Sequence, residues 1–285
     1  MPYPVVCRFA AVLLLALLAG AAPAAPTTPT AMKSYQQFPL AYAPTVGVGV
    51  TLDVKQGHLI ARLPGNKSQD LGEVEFEERF NAALILQADF NYDGYGDFAI
   101  HSGSGYAGAI SGYQIYFWDA VQGRFKAYKE IVGNPVLVPS RKALLDGSRD
   151  GPRSYTSELR PQNGKLYEAV LRQEAVADGI DYVTFYDPSG EILAARVVES
   201  PTDPTQDLAA RPPARARIKV DKTWLHDAPN AAGKTRMYLI KGDAVTLLDY
   251  KPNEDEPMGG YGWFLARFVG KKTIEKWIDG QALVE

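Results

Sequence analysis

Short apolar runs alternate with turn residues along most of this chain. Val50–Val54 and His58–Leu63 flank Lys55-Gln56-Gly57, and Tyr113–Trp118 and Arg124–Tyr128 flank a turn from Asp119 to Gly123. Ser154–Arg160 and Lys165–Glu174 flank Pro161-Gln162-Asn163-Gly164, and Tyr182–Tyr186 and Glu191–Val198 flank Asp187-Pro188-Ser189-Gly190. Runs of this length, punctuated by Gly, Pro, Asn and Asp, predict hairpins. Val74, Phe76 and Phe80 show partial period-two spacing, and the apolar stretch Ala83–Phe90 predicts a strand buried on both faces. The pattern predicts an all-β fold, an antiparallel sandwich or barrel-like sheet. It breaks over 200–215, SPTDPTQDLAARPPAR, whose four prolines and missing periodicity predict a linker.

The remainder, 216–285, is again β-rich. LHDAPN, YLIKGDAVTLL, YGWFLARF and KWIDGQALV resemble the segments of a bacterial SH3-like β-barrel. The N-terminus has a different character. Arg8 precedes the apolar run Phe9–Leu18, and small residues end at Ala22-Pro23-Ala24-Ala25. A charged start, a short apolar centre and an A-x-A site predict a cleaved secretory signal peptide, and the run is too short for a good membrane span. The expected organisation is a signal peptide at 1–25, an extended segment at 26–44, a β domain at 45–199, the linker at 200–215 and the SH3-like domain at 216–285.

The 285 residues are 46% hydrophobic and 22% charged, which is ordinary globular composition. Twenty-six Gly, 20 Pro and 16 Tyr favour turns and strands over long helices. Cleavage would remove Cys7, the only cysteine, so the mature chain would fold without a disulfide. It would also remove Arg8, one of 30 Lys and Arg against 33 Asp and Glu, and take the net charge from −3 to −4. An acidic chain of this kind is no basic nucleic-acid binder. A secreted, acidic, cysteine-free chain fits the periplasm.

The densest chemistry is Asp89-Phe90-Asn91-Tyr92-Asp93-Gly94-Tyr95-Gly96-Asp97. Calcium takes six to eight hard oxygens at flexible geometry, and side chains at alternate positions converge when such a loop curls. Asp89, Asn91 and Asp93 occupy positions 1, 3 and 5, Gly94 permits the sharp turn, Tyr95 offers its backbone carbonyl and Asp97 binds directly or through water. An EF-hand needs Glu at position 12, where Ile100 stands, so the loop is EF-like but outside an EF-hand. One Ca2+ is expected, and its binding free energy would add to folding. Asp146–Asp150, DGSRD, predicts only a solvated loop.

Directly after this loop comes Ser102-Gly103-Ser104-Gly105-Tyr106-Ala107-Gly108, then Tyr113–Trp118. Small residues around one aromatic tip can approach another surface closely. LQADFNYDGYGDFAI, SGSGYAG and YQIYFWD, behind a signal peptide, together resemble the periplasmic inhibitors of invertebrate-type lysozyme. They also resemble related immunity proteins against peptidoglycan hydrolases delivered by a type IV secretion system. The resemblance covers roughly 80–128. It implies a β fold with bound calcium and a loop that inserts into the hydrolase active site, with Ser102, Gly103, Ser104, Gly105 and Tyr106 as partner-binding residues. The metal hairpin also resembles those of integrin-type propeller blades, but that architecture needs several copies and one is present.

Nothing points to an enzyme. His58, His101 and His226 have no metal-type spacing. No G-x-S-x-G elbow, P-loop or dinucleotide fingerprint occurs. Glu77 and Glu78 would point to opposite faces of a strand, and Glu254-Asp255-Glu256 predicts a solvated loop. The expected function is therefore a non-enzymatic inhibitor whose partner is a lysozyme-like peptidoglycan hydrolase. The competing expectation is an envelope-binding module that grips peptidoglycan through Tyr261, Trp263 and Trp277.

Overall fold

The computed structural model describes residues 32–35, 37–74, 84–253 and 261–284. The expectations for the signal peptide, Phe76, Phe80, Glu77, Glu78 and Glu254–Glu256 lie outside them. Among the described residues the chain is all-β, with 21 strands, a few 3-10 turns and no helix long and apolar enough to cross a membrane.

The strands make four antiparallel sheets. The first contains β2 (Leu40–Thr45), β3 (Val48–Lys55), β4 (His58–Leu63) and β5 (Lys67–Glu73) in that order. The second has the order β1 (Lys33–Tyr35), β6 (Ile85–Ala88), β7 (Asp97–Gly105), β8 (Ile110–Asp119) and β9 (Arg124–Gly133). The third runs in chain order through β10 (Val136–Val138), β11 (Ala143–Asp150), β12 (Arg153–Gln162), β13 (Lys165–Ala177), β14 (Ile180–Tyr186) and β15 (Ile192–Glu199). The predicted hairpins form, because their turns can be left-handed. Gln56 and Gly57 have φ of 51° and 82°, and Asn163 and Gly164 have 51° and 73°. Two consecutive positive φ values match the twist of the flanking strands.

The second sheet is the middle layer. One face places Ile85, Phe98, Ile100, Tyr116 and Trp118 against Leu52, Leu59 and Ala61 of the first sheet. Its other face places Leu86, Ala88, Ala99, Tyr113 and Ile115 against Leu144 and Leu159 of the third. β6 is thus buried on both sides, as its sequence predicts, and the strand itself is the shorter Ile85–Ala88. Phe98 anchors the first core, stacked on Tyr116 at 4.9 Å between centroids and edge-on to Phe125 at 4.8 Å.

Two parts depart from expectation. The segment 26–44 holds β1 and most of β2, and Leu40 reaches the core. Asp146–Asp150 is not a loop but the second half of β11, paired residue for residue with β12. Its polar side chains belong to a strand because pairing, not local sequence, holds it there. Asp146 also joins two sheets, accepting the Gly133 amide through Oδ1 at 2.7 Å. Here β9 and β11 come so close that a Cβ on Gly133 would lie 2.0 Å from the Gly147 carbonyl oxygen.

The fourth sheet has the order β16 (Arg215–Arg217), β19 (Ala244–Lys251), β20 (Trp263–Val269), β21 (Thr273–Asp279), β17 (Lys222–His226) and β18 (Lys234–Ile240). Its core joins that of the third sheet: Val176, Ile180 and Val197 pack in one cluster with Ile218, Leu247, Phe264 and Ile278. The proline-rich segment 200–215 is irregular up to β16 yet tied down. Leu208 is buried among Ala169, Val170, Val183 and Val198, the Ala214 amide donates to the Val197 carbonyl, and the Ala214 carbonyl accepts from Leu247.

Gly133→Val should cost about 2 kcal/mol or more, since neither backbone can yield without breaking the Asp146 bond. A denaturant midpoint unchanged in this variant would mean that the two sheets are not held as described.

Candidate functional site: the two ends of strand β7

Strand β7 carries the predicted metal loop at its start and the Ser/Gly/Tyr segment at its end. Asp97 opens the strand and is wholly buried. Its Oδ2 accepts the Phe90 amide at 3.0 Å, and its Oδ1 accepts the Trp118 amide at 2.9 Å. One carboxylate therefore closes the loop on itself and pins it to β8. Burial raises its pKa well above the usual carboxylate range; the Trp118 and Phe90 amides oppose that rise, and the charges of Asp93 and Asp89 add to it.

The loop curls as the spacing predicts. Asp89 accepts the amides of Asp93 (3.0 Å) and Gly94 (2.8 Å), Asn91 accepts that of Asp93 (3.1 Å), and Asp93 accepts that of Tyr95 (2.9 Å). Asn91 Nδ2 also donates to Asp93 Oδ2 at 3.0 Å. Gly94 has φ of 91° and Tyr92 56°, the left-handed turns that fold the loop back. Asp89 is itself pushed up, by burial first and then by the Asp93 charge, against the pull of neighbouring amides.

The loop has the oxygen-rich composition of a hard-cation site without its convergence. Three carboxylates and a carboxamide share one loop, and none of the ion pairs among the described residues neutralises Asp89, Asp93 or Asp97. Among the described residues no three His, Cys, Asp or Glu side chains converge tightly enough to hold a metal between them. The reason is visible in the contacts, since Asp97 is turned to the two amides. Tyr95 packs partly buried against the first core.

Sequence reasoning did not single out Tyr92. Its hydroxyl donates to the Ala143 carbonyl at 2.9 Å and ties the loop to β11. The Gly96 amide donates to the Pro44 carbonyl at 2.7 Å, tying it to β2. The only signal for Tyr92 was an aromatic with a polar tip among small loop residues.

At the far end, the small-residue segment is not a free loop. Ser102–Gly105 complete β7, with Gly103, Ser104 and Gly105 opposite Gly112, Ser111 and Ile110 of β8. The tip is Tyr106–Ala109. Tyr106 (φ 52°) and Ala107 (φ 56°) are left-handed, as is Gly108 (φ 88°). For non-glycine residues that conformation costs about 1 kcal/mol each. The tip is braced from three sides. His101 Nε2 lies 3.0 Å from Ser104 Oγ. Asn134 Nδ2 donates to the Ala109 carbonyl at 2.8 Å, and Asn134 Oδ1 accepts the Ser111 amide at 2.9 Å. The Tyr106 hydroxyl donates to the Arg149 carbonyl at 3.1 Å, beneath the Arg149 guanidinium at 5.2 Å from the ring centroid. Ser102, Gly105 and Tyr106 remain exposed, Tyr106 by 49%.

The structure also assembles a cleft that no motif announced. It measures about 540 Å³ between β9, β11, β12, β13 and the β14–β15 turn, lined by Tyr128, Asp146, Ser157, Glu168 and Tyr186. Burial raises the Asp146 carboxyl to about 6, against the Gly133 amide and with help from Glu130 and Glu168. A perturbed carboxyl in a cleft is the material of acid–base chemistry, but Asp146 is held by the Gly133 amide, and the neighbouring Glu168 accepts from Ser157 Oγ at 2.7 Å. In the fourth sheet, Trp263 is buried edge-on to His226, Trp277 is half-buried, and Tyr261 is exposed.

No family model matches the chain, and no curated protein matches it. Among solved structures the chain is similar to one described as "Structure of a Xanthomonas Type IV Secretion System related protein". Identity is 18%, the match spans 59% of this chain and 97% of that one, and the TM-score is 0.35. A likeness this slight carries no inference.

Two outcomes follow from the buried carboxyls. Asp97→Ala strands the Phe90 and Trp118 amides and should cost about 2 to 4 kcal/mol, read from the denaturant midpoint. Asp146 has its folded pKa above its ordinary value, so its ionisation weakens the fold as pH rises through about 6. Asp146→Asn keeps an acceptor for Gly133 and removes the charge. The variant should therefore gain about 1 kcal/mol over the parent at neutral pH, with the gain fading in acid. An equal difference at both pH values would exclude the charge as its source.

Proposed function

We propose that this protein is a non-enzymatic periplasmic inhibitor, an immunity protein that occludes the active site of a lysozyme-like peptidoglycan hydrolase with the Tyr106–Ala109 tip. The observation that carries this reading is the braced, exposed hairpin end. An aromatic ring stands at the tip of two hydrogen-bonded strands, on a backbone held in an unfavourable conformation by neighbours rather than by its own preference. A rigid aromatic loses little entropy on binding and dominates interface energy. Ser102, Gly103, Ser104 and Gly105 supply the narrow flank that lets the tip enter a glycan cleft. The motif resemblance to lysozyme inhibitors supports the same partner.

Calcium is part of this proposal. Asp89, Asn91 and Asp93 would offer side-chain oxygens and Tyr95 its carbonyl, with the wholly buried Asp97 acting directly or through water. The ion would supply neutralising charge that no ion pair among the described residues provides there. Loop and tip sit at opposite ends of β7, about 26 Å apart along an extended strand of this length. The ion therefore steadies the base of the hairpin, while Asn134 and Arg149 hold the tip.

Turbidity loss of peptidoglycan under lysozyme-like hydrolases should slow when the mature protein is added. Tyr106→Ala should abolish that protection with little change in thermal midpoint; undiminished protection would sink the tip model. Calcium should raise the thermal midpoint, with a stabilisation of about 2.7 kcal/mol at a hundredfold excess over its Kd. Asp89→Asn with Asp93→Asn should remove that response. A midpoint indifferent to both calcium and EGTA would exclude the metal.

A further inference from the structure

The fourth sheet ends on β18, and among the described residues no strand pairs with its outer side. This edge has an unusual surface. Lys222, Trp224, Lys234, Arg236, Tyr238 and Ile240 are all at least partly exposed, and Tyr238 and Ile240 are exposed by 51% and 50%. Trp224 lies directly across from Tyr238, and Lys222 across from Ile240. The Lys222 ammonium is 3.9 Å from the Trp224 ring centroid and 4.1 Å from that of Tyr238, and Lys234 is 4.4 Å from Trp224. None of the ion pairs among the described residues involves Lys222, Lys234 or Arg236. Of the nearby carboxylates, Asp227 pairs with Lys276, Asp243 accepts the Ile240 amide at 2.9 Å, and the exposed Asp221 pairs with none of the three cations. Three cations without carboxylate partners thus concentrate on one edge of a chain whose net charge is −3.

We propose that the β17–β18 edge is a docking surface for an extended acidic segment of a partner protein, which adds to the sheet as a strand beside β18. Charge selects the occupant, since the ammoniums and the guanidinium seek carboxylates, and none among the described residues pairs with them. Edge geometry selects its conformation, because an open strand gives an incoming one main-chain bonds and leaves alternate side chains to set specificity. The Met237 amide is taken by Thr235 Oγ1 and that of Ile240 by Asp243. Pairing therefore centres on Arg236 and Tyr238. Tyr238 and Ile240 offer the apolar contact between the charges. Sugar stacking fits less well, because it needs a bare ring face and the lysine ammoniums lie over those of Trp224 and Tyr238. This surface is separate from the Tyr106 tip and does not depend on the hydrolase reading.

The test uses the mature chain and a fluorescein-labelled nine-residue peptide of alternating Glu and Val, followed by anisotropy. A peptide of the same composition with its Glu residues in one block is the control, and vesicles of equal phosphatidylglycerol and phosphatidylcholine test a membrane. The alternating peptide should bind best and quench tryptophan fluorescence. Lys234→Glu with Arg236→Glu should weaken it about tenfold or more with an unchanged denaturant midpoint, and binding should slow hydrogen exchange along β18. Equal binding of the block peptide, undiminished binding by the charge-reversed variant, preference for the vesicles, or no binding at all would each overturn the proposal.

Discussion

The Asp97 carboxylate and the two amides it receives sit where three constraints meet. Phe90 lies in the loop two residues past β6, Trp118 belongs to β8, and Asp97 begins β7 between them. A carboxyl buried this deeply is costly to ionise, and two hydrogen bonds from fixed backbone amides are what make the position tolerable. Because those partners are backbone, the bond fixes chain path rather than side-chain packing. The aromatic cluster of Phe98, Tyr116, Trp118 and Phe125 begins one residue beyond it, so the register of β7 against β8 determines which rings meet. A slip of one residue would turn that cluster to the opposite face.

From that register the middle sheet acquires two buried faces, and the remaining sheets take their places against them. The first sheet covers one face with small and branched aliphatics, and the third covers the other through β11 and β12. Gly133 and Gly147 allow the second and third sheets to approach at backbone distance, with Asp146 as the bond across the gap. That same approach brings Arg149 to Tyr106, while Asn134, one residue past β9, reaches Ala109 from the tip's own sheet. The tip is therefore shaped in part by a sheet to which it does not belong.

The legible parts of this architecture are those written locally. Gln56-Gly57 and Asn163-Gly164 state their turn types in two residues, and Asp89 to Asp97 states a curled loop through alternate oxygens and one glycine. Ala83–Phe90 announces its double burial by composition. What escaped reading depends on partners distant in sequence. β11 looks like a polar turn because Asp146, Ser148 and Arg149 are hydrophilic, and only pairing with β12 makes them a strand. The small-residue segment after the Asp89–Asp97 loop looks free because glycine and serine have weak preferences, yet pairing to β8 and bracing by Asn134 order it. The cation-covered Trp224 was equally hidden, since its lysines lie on both flanking strands. All-β character was plain throughout; the assignment of strands to four sheets was not, as it depends on contacts across the chain.

The segment 200–215 works as a fastening. Leu208 is seated in an apolar pocket of the third sheet, and Ala214 bonds to β15 on one side and β19 on the other. A pull on the fourth sheet would load the Ala214 bonds and the shared core around Val197 and Leu247 before it reached the pocket around Leu208. The third and fourth sheets would then resist separation as one body, not as two beads on a tether.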